Sequence, residues 1–238
     1  MKKQSKFRSL LHILLMLAIL AVIVMLIWHA FGDTLQGLFK LLVDGRADEI
    51  QSYLENEGKW KGIVCTVLLS ILQVVSIFFP GIAIQIASGA LYGWIEAFLA
   101  CYFGFVLGNI VVFTFVRRLG DRISDIIDID SNDKTNFLKE KMKLFRPTLV
   151  VAVANLLPVI PNGIIPYIAA GTPIRYSRFI ISLMSTCWIQ IFFNCLAGSF
   201  LINGQFLFMV FAIGIQIMIL AFVAVKGNSI LNWINRHI

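Results

Sequence analysis

Charge is the scarcest property of this sequence. Between Gly62 and Val116 a single side chain, Glu96, is charged. Charged residues make up 14% of the 238 positions against 59% hydrophobic, and mean hydropathy is +0.86. A water-soluble domain of this size has no use for so much apolar surface, which leaves a multi-pass membrane protein. The net charge of +7 then reads as basic residues flanking membrane segments on the cytoplasmic side. Nucleic acid is not expected as a partner.

Other absences exclude chemistry. Only four cysteines occur, Cys65, Cys101, Cys187 and Cys195, all within apolar runs. They suit buried small hydrophobes, and no disulfide framework or CxxC site is expected. His12, His29 and His237 are scattered, with no HExxH spacing. No paired carboxylates, Gly-x-Ser-x-Gly elbow or phosphate loop is present. "DIDSNDK", from Asp128, starts like a calcium loop, but Asp133 takes the glycine position and Lys139 the bidentate glutamate position. We therefore expect no enzyme, no catalytic residues, no metal and no cofactor.

What is present is a series of apolar segments. Leu10 to Phe31 follows Lys2, Lys3, Lys6 and Arg8. It is too long for a signal-peptide core of about 7–15 residues, so a retained transmembrane helix is expected over 1–31. Residues 32–61 hold six acidic and four basic residues. Leu35, Leu38, Phe39 and Leu42 fall at helical spacing there, which fits an extracytoplasmic amphipathic segment; a solvated linker helix is the alternative.

The stretch "FFPGIAIQIASGALYG", Phe78 to Gly93, breaks an otherwise spanning run with Pro80-Gly81. Proline inside a helix costs about 3 kcal/mol or more, and lipid offers no water to repair the loss. Either Gly62 to Phe79 crosses fully, or residues 62–92 turn at Pro80-Gly81 and return to the side they came from. Full crossing leaves eight basic residues inside and twelve outside; the re-entrant hairpin leaves sixteen inside and four outside. The positive-inside rule favours the hairpin.

Residues 147–171 repeat the device, with Pro158, Pro161-Asn162-Gly163 and Pro166 interrupting an apolar run. Phe179 to Leu201 and Phe206 to Val225 then read as crossing helices, with Lys226 and Arg236 in a cytoplasmic tail. An offset of 82 places Gly81 on Gly163, Gly89 on Gly171 and Gln73 on Asn155. Interrupted segments at matching places in two halves point to a transport site near the midplane. Chance alignment of Gly, Ala and Ile is the competing account. The expected fold is an all-α integral membrane protein. It has four transmembrane helices and two re-entrant helical hairpins in an inverted repeat, with both termini cytoplasmic. The core spans 62–201, and 202–238 forms the last helix and tail.

The breaks assign expected roles. Gly81 and Gly163 would permit tight turns through positive φ, with Asn162 the next best residue for it. Pro80, Gly89, Pro158, Pro161, Pro166 and Gly171 complete the break positions. Gln73, Gln85, Ser88, Asn109, Asn155, Asn162 and Tyr167 are candidates to line a polar path. Interhelical hydrogen bonding, worth about 0.6 kcal/mol per contact, is the other role open to such polar residues. Glu96 is either part of the path or interfacial. Arg146, Arg175 and Arg178 could attract lipid phosphate or simply anchor the inner surface. Gly104-x-x-x-Gly108 and Gly89-x-x-x-Gly93 suit close helix packing.

The order of a "PG…ASGALYG" hairpin, a glycine-containing helix ending "RRLG", then "RP…P…PN…AAG…RF" resembles the VTT-domain family. That family, also called SNARE-associated Golgi protein, belongs to the DedA superfamily. The resemblance covers about Lys61 to Leu201. It implies paired re-entrant hairpins and movement of lipids between leaflets, either by scrambling or by carriage of phospholipid or polyprenyl phosphate. DedA proteins proper tend to carry an acidic residue where this chain has Ile82, Gly-Asp where it has Gly108-Asn109, and arginine where it has Asn155. The likeness is therefore to the VTT branch, with passive scrambling implied over proton coupling. A bacterial plasma-membrane protein, with membrane lipids as partners and homo-oligomerisation left open, is the expectation. A small-solute or ion carrier, or a non-transporting scaffold, are the alternatives.

Overall fold

A computed structural model describes Met25, Trp28, His29 and Gly32, and residues 59–76, 81–119, 140–157 and 163–237. Most of the expected first transmembrane helix and most of the amphipathic segment fall outside the described residues. So do Pro80, Pro158, Pro161 and Asn162.

The described chain is helical. It comprises α1 (Lys59–Ser76), α2 (Gly81–Tyr92), α3 (Trp94–Leu119), α4 (Pro147–Leu156), α5 (Ile164–Ala170), α6 (Tyr176–Ile202) and α7 (Phe206–His237). Long runs of apolar residues without charge leave the helix as the one way to satisfy every backbone group internally. Among the described residues, four helices are long and apolar enough to cross a membrane: α1, α3, α6 and the first 21 residues of α7. Three were expected from sequence. The fourth, α1, is the entering arm of the expected first hairpin; its 18 residues reach about 27 Å at 1.5 Å per residue.

Three contacts fix how α1 and α2 lie together. Gly62 faces the Tyr92 hydroxyl. Thr66 Oγ1 lies 3.3 Å from Ser88 Oγ. Gly81 faces the Gln73 carboxamide. As the α1 number rises the α2 number falls in step, so the two helices are antiparallel arms. Tyr92 returns to the level of Gly62.

At that level the chain reverses. Gly93 adopts φ 77°, a left-handed conformation that glycine enters without a Cβ penalty. Its N–H closes onto Gly89 at 3.1 Å and its carbonyl accepts from Ala97 at 3.2 Å. One residue thus ends α2 and starts α3.

α3 runs parallel to α1. Lys59 meets Glu96, Gly104 packs against Val67 and Ser70, and Gly108 against Ile71 and Val74. A Cβ on Gly104 would lie 2.7 Å from Ser70 Cβ. Small residues here let two backbones approach, the usual basis of packing between membrane helices. α6 runs antiparallel to α3, as Trp94 meets Phe192, Tyr102 meets the Met184 carbonyl, and Phe113 stacks on Phe179 at 4.2 Å. α3 and α6 begin 82 residues apart, at Trp94 and Tyr176, the offset found in the sequence.

In the second half, α4 packs along α6, where Ser182 Oγ donates to the Thr148 carbonyl. α5 lies against α3, and α7 covers α6 and α4. One contiguous core joins both halves, from Val74 and Ile84 through Phe113 and Val151 to Ile165, Phe179 and Cys195.

The positive φ expected of Gly81 and Gly163, and the break role expected of Pro166 and Gly89, are corrected. Gly81 is the first residue of α2, and Gly163 caps α5 at φ −64° and ψ −23°. Neither uses positive φ; among the described residues only Gly93 and Gly204 do. Gly81 is small for a different reason, because a Cβ there would overlap the Gln73 carboxamide. Pro166 does not break a helix. It stands third in α5, where the missing N–H has no intrahelical acceptor to lose. Gly89 lies inside α2, not at a break, and its missing Cβ makes room for the Cys195 backbone.

Candidate functional site

α1 carries polar side chains at every third position near its inner end: Ser70, Gln73 and Ser76. That spacing sets them along one side of the helix. The α1–α3 register brings Asn109 of α3 to the same level, next to the Gly108 that packs on Ile71 and Val74. Asn109 is 0% exposed and Gln73 6%.

These groups are unusual in having nothing to bind. Among the described residues, Ser70 Oγ, both polar atoms of the Gln73 amide, Ser76 Oγ, Asn109 Oδ1 and Asn155 Oδ1 are buried without a hydrogen-bond partner. Each such group costs about 1–3 kcal/mol if nothing arrives to satisfy it. The two asparagines use their nitrogens locally. Asn109 Nδ2 donates to the Phe105 carbonyl at 2.8 Å, and Asn155 Nδ2 to the Val151 carbonyl at 2.9 Å. Their oxygens are what remains.

Other expected path residues are already paired. Gln85 Oε1 accepts from Asn194 Nδ2 at 2.7 Å, joining α2 to α6. Ser88 meets Thr66. Both therefore act as interhelical ties. Tyr167 donates its hydroxyl to the Val75 carbonyl at 3.1 Å. This contact joins α5 to α1.

Glu96 stands apart from the unpaired set. Its carboxylate accepts from Lys59 Nζ at 2.6 Å, and the Lys59 and Glu96 side chains are 47% and 41% exposed. It also sits in the first turn of α3, where the helix dipole favours an acid. Exposed pairs contribute about 0–1 kcal/mol. Glu96→Gln in purified protein should accordingly shift the thermal midpoint by no more than a few degrees.

Arg146, Arg175 and Arg178 are exposed. Arg175 and Arg178 lie beside the start of α6, level with the end of α3 where Phe113 meets Tyr176. Arg117, not singled out in the sequence, does more. Its guanidinium donates to the carbonyls of Ile174 at 2.5 Å and Thr172 at 2.8 Å, and sits 5.0 Å over the Phe113 ring. It ties the end of α3 to the segment linking α5 and α6. Asn194, Ser70 and Ser76 were also missed. The three-residue spacing on α1 was a usable signal for the serines; no local pattern marks Asn194 or Arg117.

Among the described residues, no group of three or more His, Cys, Asp or Glu side chains could hold a metal ion. The four cysteines are free and buried. The arrangement is a polar, uncharged stripe inside an apolar bundle, with basic residues clustered at one end.

No curated protein and no solved structure gives a significant match to this chain. The family model described as VTT domain matches residues 79–200, just over half of the chain. That stretch runs from α2 to the end of α6 and takes in Asn109, Asn155 and Tyr167, while Ser70, Gln73 and Ser76 precede it. With four helices long and apolar enough to cross a membrane, the chain is a multi-pass membrane protein that belongs to the VTT domain family.

Proposed function

We propose that this protein moves lipids between the leaflets of a bacterial plasma membrane, by passive scrambling of phospholipids or by carriage of a polyprenyl-phosphate-type lipid. The observation that carries this reading is the stripe of unpaired polar atoms on α1 and α3. A purely structural bundle gains nothing from keeping such groups dry. A path for headgroups needs them.

The hairpin geometry supports the reading. Because α2 returns to the level at which α1 starts, the chain leaves the pair on the side where it entered. Re-entrant backbone is tolerated at membrane depth when other protein covers it, and α3 and α6 cover this pair. The segments α4–α5–α6 repeat α1–α2–α3, with α3 and α6 antiparallel. In this reading the halves form an inverted repeat, and both termini face the cytoplasm. Headgroups slide along the polar stripe while acyl chains stay in lipid, and no cofactor takes part. Arg175 and Arg178 draw phosphate to the cytoplasmic mouth.

The direct test is leaflet exchange in liposomes. Purified protein should expose headgroup-labelled lipid from the inner leaflet to an external quencher, well above protein-free vesicles. Labelled lipid that stays protected would refute the reading. Uptake of a small solute by the same vesicles would then favour a solute or ion carrier using the same stripe, and inactivity in both a membrane scaffold.

A further inference from the structure

Basic side chains gather at one end of the bundle, and few acids answer them. Arg117 holds the carbonyls of Ile174 and Thr172, and Phe113, one turn before it, meets Tyr176. The last turn of α3, with Arg117 and Arg118, therefore lies beside Arg175 and Arg178 at the start of α6. Ser182, one turn beyond Arg178, donates to the Thr148 carbonyl. That bond brings the start of α4, and Arg146 with it, to the same end. Lys141 and Lys143 lead into α4. Glu96 and Glu140 are the only acids among the described residues, and Glu96 is paired with Lys59 at the other end. Seven described bases thus stand against Glu140 alone, a balance of +6. No acid occupies the first turn of α4 or α6, where a helix dipole would favour one. The chain between Arg118 and Glu140 adds five aspartates and three bases, a balance of −2, which leaves this end positive.

Exposure decides what this charge meets. Lys143, Arg146, Arg175 and Arg178 are all exposed. Apolar side chains stand among them: Leu144, next to Lys143, is 60% exposed, and Tyr176, next to Arg175, is 43% exposed. Bases interleaved with exposed apolar groups suit the boundary between headgroups and acyl chains rather than open water. Guanidinium matches phosphate through paired hydrogen bonds, and a cluster of bases at a membrane surface favours lipids of net negative charge. A zwitterionic headgroup carries its own cation and gains less.

We infer that this end of the bundle is an interaction surface for anionic phospholipid, where Lys143, Arg146, Arg175 and Arg178 hold phosphodiester headgroups that carry no amine. The inference extends the role given above to Arg175 and Arg178, and it stands whether or not lipid crosses the bilayer.

The test uses the full-length protein in nonionic detergent. It is titrated with phosphatidylglycerol or phosphatidylcholine bearing the same acyl-chain fluorophore, and binding is read by anisotropy. At low salt phosphatidylglycerol should bind at least about tenfold more tightly, or about 1.4 kcal/mol. The margin should shrink steeply as salt approaches about 1 M and screens the charges. Arg146→Gln, Arg175→Gln and Arg178→Gln together should remove most of the margin, whereas lysine at the same three positions should keep most of it. Inorganic phosphate at matched ionic strength should not displace the labelled lipid. Equal binding of the two lipids, a margin unmoved by the glutamine triple, or displacement by inorganic phosphate would overturn the inference. Leaflet exchange is read separately, so protein that fails to exchange lipid and still prefers phosphatidylglycerol would refute the transport reading alone.

Discussion

Gly198→Leu should leave little or no folded protein. A Cβ at this position would overlap the Ile86 backbone, just as one at Gly89 would overlap the Cys195 backbone. A flexible side chain can swing aside, but a helix backbone cannot move without disturbing everything packed on it. Here α2 would be driven off α6, and the Gln85–Asn194 bond at 2.7 Å would go with it. Overpacking costs about 1–3 kcal/mol where side chains absorb it, and more where they do not. Set against typical net stabilities of about 5–15 kcal/mol, the combined loss is severe. Size-exclusion profiles of detergent-solubilised protein should show the folded peak lost for Gly198→Leu and for Gly89→Leu. Gly214→Ala is the control. Nothing lies within 4 Å of a Cβ there, and alanine is the better helix former by about 1 kcal/mol. A folded peak of normal height from Gly198→Leu would show that the α2–α6 contact is not as close as described.

Asn109→Leu should do two opposite things. The apolar side chain removes a buried oxygen that has no partner, so thermal stability should rise, by about 2–4 °C for each kcal/mol gained. It also removes a polar step from the proposed path, so leaflet exchange should fall by about fivefold to about 150-fold for 1–3 kcal/mol. Gln73→Leu should behave alike. A structural role predicts the reverse pairing: lower stability with exchange falling only as folded protein is lost. Variants that melt higher and still exchange lipid at the normal rate would remove the stripe from the mechanism.

The sequence carried much of the fold because the pattern was coarse. Uncharged runs mark α3 and α6 to within a few residues and the start of α7, which runs on to His237 past the expected end at Val225, and helices in lipid have few other ways to satisfy their backbones. The offset of 82 was also legible, since Gly81 and Gly163 open α2 and cap α5 at matching places. What failed was the physical role given to small residues. Gly81 reads as a turn former, yet it is small to admit Gln73, while Gly93 makes the left-handed reversal. A sequence shows that a position is small, not which neighbour requires it. The polar residues divided for the same reason. Gln73 and Gln85 are alike as letters, but Gln85 finds Asn194 across 109 positions, and Gln73 finds no one. Whether an amide is a tie or a vacancy is decided by a helix far away in the chain.

The crossing of α2 and α6 sets a mechanical limit on how the two halves can move against each other. At Gly89 and Gly198 main chain rests on main chain, so there is no rotamer to turn and no gap to widen. A junction of that kind suits a fixed point rather than a sliding one. Between α5 and α1, by contrast, the tie is one side-chain hydrogen bond, from the Tyr167 hydroxyl to the Val75 carbonyl, which a small shift of either helix would lengthen.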